Sequence, residues 1–233
     1  AWEKAREIDP SLALVHRNLG LAYARIKNDL PTAVASLEKA IALSPADARL
    51  HYELDVLYEA AGTEAAVRLA RLEKSHKAVS TNDNALAREV GLLVGVGRAS
   101  RALEILRSHH FHVWEGGGGL HGLWVEANLA IGRDRLAKGD LRRALEAFLR
   151  ALEYPANLDV GPPSSGPGSP KIFVYLGEAY AALGQAGRAR SCREKAAAFG
   201  AGLSEQAYYR GLALKVLGRP DEARSVFAGL AEK

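Results

Sequence analysis

The stretch RNLGLAYARIKNDLPTAVASLEKAIALSP, residues 17–45, decides the fold of this 233-residue chain. Its first half contains Leu19, Gly20 and Tyr23 in the spacing L-G-x-x-Y. After the turn NDLP, its second half contains Ala33, Leu37, Ala40 and Pro45. Small residues on two neighbouring helices let their backbones approach, and larger residues such as Tyr23 fill the space that remains. The stretch therefore predicts a pair of antiparallel helices, with a proline after the second one.

The same spacing recurs along nearly the whole chain, which indicates a repeat architecture. Gly184 and Gly218 are 34 residues apart, whereas Pro10 and Pro45 are 35 apart, and we place the extra residue in the turn NDLP. The other recurring positions are Trp2, Ala5, Leu54, Tyr58, Gly62, Gly97, Ala102, Leu106, Gly132, Gly139, Ala144, Phe148, Leu176, Gly177, Tyr180, Ala189, Gly211, Ala223 and Phe227.

In these motifs the chain resembles the tetratricopeptide-repeat (TPR) family over nearly its whole length. The resemblance implies an all-α solenoid of antiparallel helix pairs, wound into a right-handed superhelix whose first helices line a concave face. The second and third repeats match the family least well. In the second repeat, Asp55 stands where glycine is usual and Arg71 stands where an aromatic residue normally packs.

The repeat boundaries predict a single solenoid over residues 1–233. Residues 1–10 are the second helix of a truncated repeat, and because the chain contains no methionine we expect it to be a fragment of a longer protein. The remaining segments are repeats at 13–47, 48–82, 83–110, 125–158, 170–203 and 204–233, a connector at 111–124 and a Pro/Gly/Ser loop at 159–169.

Composition excludes several classes of protein. The net charge of +4 comes from 31 basic and 27 acidic residues spread along the chain, so no basic stripe predicts nucleic-acid binding. No apolar run reaches the roughly 18 to 20 residues that cross a bilayer, so we expect no membrane partner. The one cysteine, Cys192, cannot form an internal disulfide, and this predicts a reducing compartment, namely the cytoplasm.

The family resemblance places ligand contacts on one stripe of each first helix, a groove that suits a peptide or protein segment. Tyrosine and arginine dominate such contacts because they combine large contact area with directional hydrogen bonds. The groove anchors that we predict are Arg17, Tyr52, Arg88 and Arg133. A chaperone-type clamp for a C-terminal carboxylate is excluded, since Leu21 and Glu53 occupy the places where the clamp has asparagines.

The stretch SHHFHVWEGGGGLHGLW, residues 108–124, interrupts the repeat and raises the question of a metal site. The candidate ligands are His109, His110, His112 and His121, with Glu115 in reserve. Adjacent histidines on a helix point about 100° apart, no H-x3-H pair lies within a helix, and no cysteine is near. We therefore expect neither a metal nor another cofactor.

A structural role explains the same stretch. Phe111, Trp114 and Trp124 can fill the joint between two repeats, while the glycines reverse the chain. We expect an ordered connector with Trp114 largely buried. A long loop rich in proline, glycine and serine follows one repeat later, at 153–170.

The motifs FHVWEGG and YPANL, in this order, resemble the repeat half of certain bacterial proteins of uncharacterised function. In those proteins the N-terminal half is a β-sandwich similar to aldose mutarotase. Gly118 and Gly119 depart from the pattern, which often has an acidic residue among the glycines. The resemblance implies a helical partner of a carbohydrate-related domain, with carbohydrate bound only through that upstream domain. The family-motif connector residues are then His112, Trp114 and Glu115.

Three functions compete. The complete repeat pattern favours a non-enzymatic scaffold that binds a peptide, a protein or an upstream domain of the same chain. The two connector motifs favour an accessory domain of a carbohydrate-related bacterial protein. An enzyme is disfavoured, because the chain has no catalytic triad pattern, phosphate loop or dinucleotide fingerprint, and we name no catalytic residue.

Overall fold

The computed structural model describes residues 2–112, 119–164, 166–200, 202 and 204–231. Over these residues the chain forms fourteen α-helices and no β-strand, which confirms the predicted all-α class. None of the helices described is both long enough and apolar enough to cross a lipid bilayer. The helices are α1 Trp2–Ile8, α2 Ala13–Ala22, α3 Leu30–Leu43, α4 Ala48–Ala60, α5 Ala65–Lys74, α6 His76–Val79, α7 Asp83–Gly95, α8 Ala99–Ser108, α9 Leu120–Ala137, α10 Leu141–Arg150, α11 Pro170–Ala182, α12 Ala186–Ala198, α13 Glu205–Val216 and α14 Pro220–Ala231.

The helices group into two compact units, the N-terminal unit Ala1–Ile105 and the C-terminal unit Leu106–Lys233. In the N-terminal unit α2 packs on α3, α3 on α4, and both α4 and α5 on α7. In the C-terminal unit α9 packs on α10, α11 on α12, and α13 on α14. There α10 and α12 also contact the first helix of the following pair. Each unit is therefore a stack of helix pairs, as the repeat pattern predicts.

Glycine at the crossing point holds the two helices of a pair together. A Cβ atom added to Gly132 would lie 2.5 Å from Cδ1 of Phe148, and one added to Gly211 would lie 2.5 Å from Cε1 of Phe227. Phe148 is fully buried. The ring of the second helix thus occupies the space that the missing side chain leaves on the first, which is the physical meaning of the repeated glycine.

A residue in the left-handed backbone region ends the first helix of each described pair. Glycine serves at five of these turns because it adopts positive φ without steric cost. These glycines are Gly62, Gly97, Gly139, Gly184 and Gly218, with φ between +73° and +81°. The first pair uses Asn28, with φ of +51°, after a π-helical turn at Tyr23–Lys27. A π-helical turn contains one residue more than an α-helical turn, so it accounts for the extra residue of the 35-residue spacing. The extra residue thus lies in Tyr23–Lys27, directly before the NDLP turn to which the sequence analysis assigned it.

Two histidines that sequence reasoning missed join successive repeats. Nε2 of His16 lies 2.8 Å from the carbonyl oxygen of Pro10, and Nε2 of His51 lies 2.9 Å from that of Pro45. Both imidazoles are buried. Each carbonyl belongs to the proline that ends the preceding repeat, so the hydrogen bond fixes where the next first helix starts. The shared 35-residue spacing of these histidines and prolines is the signal that could have revealed them.

The second pair, α4 and α5, has a charged contact where four of the other pairs have glycine, namely Gly20, Gly132, Gly177 and Gly211. Asp55 is buried and accepts two hydrogen bonds from Arg68, each 2.9 Å long. Arg71 is not in this contact, since its guanidinium lies 4.7 Å from the ring centroid of Tyr58 and its side chain is 43% exposed. The aspartate that replaces the usual glycine of the repeat is thus one half of a buried ion pair.

We expect Gly132→Ala to lower the free energy of unfolding by about 1–3 kcal/mol, because the new methyl group overlaps the ring of Phe148. Urea unfolding followed by circular dichroism measures this change. Gly187→Ala on α12 is the matched control, since a Cβ there meets nothing within 4 Å. The control should leave stability unchanged or raise it by up to about 1 kcal/mol. Equal effects of the two substitutions would contradict the crossing-point role of Gly132.

Candidate functional site

In the N-terminal unit, two of the predicted anchors bind neighbouring first helices. Arg17 on α2 forms a two-fold ion pair with Glu53 on α4, in which Nε donates to Oε2 over 2.7 Å. Arg88 on α7 donates to Oδ2 of Asp55 over 2.6 Å and to Glu59 over 2.9 Å. These ion pairs connect α2, α4 and α7 side by side. The sequence predicted that Arg17 and Arg88 bind a ligand. In the structure their guanidinium groups instead bind carboxylates of α4 and hold the first helices next to one another.

The third anchor in this unit, Tyr52, is half-buried on α4 and has no hydrogen bond within the described part of the chain. Exposed apolar side chains occupy ligand-facing positions of the same helices. Leu14 on α2 is 57% exposed and Val56 on α4 is 37% exposed. The stripe therefore presents apolar surface next to the paired charges of Arg17 and Glu53, a composition that suits a protein segment.

In the C-terminal unit the fourth anchor, Arg133, lies against an aromatic ring. Its guanidinium carbon is 5.7 Å from the ring centroid of Tyr175, within the range of a cation–π interaction. Burial raises the pKa of Glu178 on the neighbouring first helix, and the charges of Arg193 and Arg133 oppose that rise. Arg133 thus lies near the carboxylate of Glu178 as well as the ring of Tyr175.

A row of charges connects the three first helices of this unit, and sequence reasoning did not identify it. Lys171 on α11 donates to Glu126 on α9 over 2.7 Å and to Glu205 on α13 over 2.9 Å. Burial disfavours the ammonium charge, but the hydrogen bonds and charges of the two glutamates outweigh it and raise the pKa of Lys171. All three residues stand at the same repeat position, with Lys171 45 residues after Glu126 and 34 residues before Glu205. A comparison of equivalent positions for alternating charge would have found them.

The connector and the loop that follows one repeat later are bonded to each other. Nδ2 of Asn157 donates to the carbonyl oxygens of Leu106 and His109 over 2.8 and 2.7 Å. The backbone N–H of Phe111 donates to the carbonyl oxygen of Asn157 over 2.8 Å. The side chain of Phe111 is fully buried. The segment from Leu106 to Phe111 and the loop at Asn157 therefore form one structural joint.

The residues singled out in the connector differ in how far they are buried. Trp124 is buried and its Nε1 donates to the carbonyl oxygen of Arg150 over 2.8 Å, so both Phe111 and Trp124 are buried, while their role in filling the joint between two repeats stays a prediction. His112 is exposed. Trp114 and Glu115 lie outside the described residues, and the burial of Trp114 stays a prediction.

A stacked pair of rings marks a cavity of about 270 Å³ beside the joint. The rings of His121 and Tyr154 are 3.7 Å apart and nearly parallel, and Nε2 of His121 lies 3.1 Å from the carbonyl oxygen of Glu153. Burial lowers the pKa of His121, which favours a neutral imidazole. Over the residues that the structure describes, no three histidine, cysteine or carboxylate side chains are grouped to hold a metal ion. The arrangement provides ring surfaces and hydrogen-bonding groups rather than a cation site.

Comparison with solved structures identifies the architecture, whereas no protein-family model matches the chain. YrrB, a TPR protein with an unusual peptide-binding site, superposes with a TM-score of 0.58 at 18% identity, over 98% of both chains. PilF of Pseudomonas aeruginosa superposes with a TM-score of 0.51 at 18% identity, over 96% of this chain and 92% of its own. The Cut9–Hcn1 assembly of the APC/C gives a TM-score of 0.51 at 14% identity, over 98% of this chain and 41% of the other.

The chain has a TPR fold. In this fold the charged row of the C-terminal unit and the ion pairs of the N-terminal unit lie on first helices, the elements expected to line the ligand-binding face. The joint made by Asn157 is an addition to the plain TPR pattern. It connects the end of α8 to the loop that follows α10, and both segments belong to the C-terminal unit.

We expect Asn157→Ala to destabilise the TPR fold by about 1–3 kcal/mol, because two carbonyl oxygens lose their donor. Asn157→Asp should cost more at neutral pH, since a carboxylate would then face the same two oxygens. Thermal unfolding of both variants near pH 7 tests the order. Wild-type stability of the aspartate variant would show that the amide does not hold the joint.

The buried ion pairs of Asp55 should make stability depend on pH. Burial by itself raises the pKa of this carboxyl. The hydrogen bonds and charges of Arg68 and Arg88 lower it by more than burial raises it, so the pKa lies below its ordinary value. The stabilisation is therefore complete above about pH 4 and is lost as pH falls through the lower, folded-state pKa. Asp55→Asn should be much less stable than wild type at pH 7, and the difference should shrink toward pH 3. Urea unfolding at several pH values measures it, and a constant difference would contradict the assignment.

Proposed function

We propose that this chain is a non-enzymatic scaffold that binds a protein or peptide segment on the exposed face of its first helices. The observation that carries the proposal is the lateral pairing of those helices, by Arg17 with Glu53 in one unit and by Lys171 with two glutamates in the other. Paired charges hold neighbouring helices in register, so that exposed side chains between them form one surface.

The character of that surface supports a segment of protein as the ligand. Leu14, Val56 and Tyr208 are exposed apolar or aromatic side chains on first helices. Paired charges flank them, which is the mixture of apolar contact and polar rim found at protein interfaces. The similarity of the fold to YrrB, a peptide-binding TPR protein, supports the same class of ligand. Nucleic acid and membrane are not proposed as partners. A cytoplasmic location is proposed because Cys192 has no second cysteine in this chain with which to form a disulfide.

The test begins with peptides selected from a displayed random library on the purified chain, each measured by isothermal titration calorimetry. Tyr52→Ala should weaken a groove-binding peptide by roughly tenfold, about 1–2 kcal/mol, because a half-buried ring loses its contact area. Arg17→Ala, Arg88→Ala and Arg133→Ala should weaken it by a similar factor, with circular dichroism confirming the fold.

Val56→Ala and Val67→Ala provide a matched comparison. Both valines are exposed, but Val56 lies on first helix α4 and Val67 on second helix α5, where it is 49% exposed. Only the substitution at Val56 should reduce affinity. Unchanged affinity in the four anchor variants, or an equal loss at Val67, would contradict the assignment of the face.

A second candidate function follows from the contact between the connector and the loop at Asn157. Phe111 of FHVWEGG is hydrogen-bonded to Asn157 of YPANL, and this contact supports reading the two motifs together as one resemblance to the helical half of mutarotase-like proteins. In that case the chain serves as the helical partner of a carbohydrate-related domain. The gene sequence upstream of the first codon tests this, and a reading frame without a β-rich domain would exclude it.

A further inference from the structure

A cavity of about 340 Å³ lies within the N-terminal unit, between α3, α4 and α5. Its apolar walls are Ile41, Ala42, Pro45, Leu54 and Leu72. Leu54 and Leu72 are almost fully buried and form the floor, whereas Arg71 and Lys74 are exposed and lie at the rim. The other lining residues are polar, namely His51, Asp55, Tyr58, Arg68, Arg71, Lys74 and Ser75. A half-enclosed space with both apolar and polar walls suits a small amphipathic molecule.

The cavity occurs where the repeat pattern fails. Sixteen residues separate Gly132 from Phe148, and the same interval separates Asp55 from Arg71. Phe148 fills the space between its two helices. Arg71 instead turns outward, over the ring of Tyr58 and 3.5 Å from Glu38. The second pair therefore has no large apolar side chain at this position.

Charge at the cavity is positive once the ion pairs are counted. Asp55 and Glu59 are matched by Arg68 and Arg88. Arg71 is opposed by Glu38 through a single long contact, so most of its N–H groups remain uncommitted. Lys74 has no ion pair within the part of the chain that the structure describes.

A hydroxyl adds to the donors at this end of the cavity. Ser75 lines it directly after Lys74, and among the described residues its side chain makes no hydrogen bond. Arg71, Lys74 and Ser75 all line the cavity, and their spacing of three and four residues at the end of α5 puts them on one face of that helix. Guanidinium and ammonium donors bind a carboxylate more strongly than a neutral acceptor, and the planar guanidinium matches the two carboxylate oxygens.

We infer that this cavity binds a small amphipathic monocarboxylate. The apolar body of the ligand lies on Leu54 and Leu72, and its carboxylate accepts hydrogen bonds from Arg71, Lys74 and Ser75. Asp55 does not oppose the ligand, since both of its oxygens already accept from arginines. The site is separate from the first-helix face of the proposed function, because its donors lie on and immediately after α5.

Octanoate is the probe, with octan-1-ol and octylammonium as controls of equal chain length. Isothermal titration calorimetry near pH 7 should show saturable octanoate binding, with octanol weaker by roughly tenfold and octylammonium without binding. Lys74→Gln and Arg71→Gln should each weaken octanoate by roughly tenfold. Lys77→Gln should not, because Lys77 is exposed nearby but does not line the cavity.

Arg71→Phe tests whether octanoate binds inside the cavity. Arg71 lines the cavity, so a phenylalanine ring in its place should fill part of the cavity and abolish octanoate binding, while circular dichroism confirms that the variant is folded. No saturable octanoate binding below about 1 mM would overturn the inference. Equal affinity for octanoate and octanol, or an equal loss in Lys77→Gln, would overturn it as well.

Discussion

The close approach of two helices at a glycine is the constraint on which the C-terminal stack depends. At Gly132 the missing side chain admits the ring of Phe148, and that ring fixes the distance between α9 and α10. Phe148 also stacks on Tyr175 of the next pair at 5.5 Å, and Tyr175 contacts Tyr209 at 6.0 Å. Packing inside one pair therefore determines where the next pair lies. The contacting rings of Phe148, Tyr175 and Tyr209 connect three successive pairs of the C-terminal unit in this way.

Much of this architecture could be predicted from residue spacing, because local contacts recur at fixed intervals in a repeat. The helix pairs and their turn glycines follow directly from the pattern. The partners of surface charges do not. Arg17 could have faced solvent or a ligand, and only the position of α4 brings Glu53 to it. Lys171 required two neighbouring helices, each supplying one carboxylate. Such contacts depend on how adjacent repeats are offset, which the pattern within one repeat does not specify.

The connector shows why unusual composition alone is ambiguous. Four histidines in seventeen residues suggest metal chemistry, yet the described part of this stretch is held by an amide and by backbone groups. Asn157 lies 48 residues from His109, and its amide supplies the donors for carbonyl oxygens left free at the end of α8. Sequence could name both motifs but could not show that one serves the other, because a single asparagine in a long loop has no periodic signal.

The buried charge at Asp55 also governs how the N-terminal unit comes apart. In a stack held only by apolar contacts, a terminal repeat can detach at a cost set by the area it exposes. Here one carboxylate on α4 bonds arginines from both α5 and α7. Detachment of α7 would leave Asp55 and Glu59 against Arg68 alone, with an excess negative charge partly shielded from water, which is costly. The third repeat is thereby coupled to the second. We expect these two repeats to unfold together, and not one after the other.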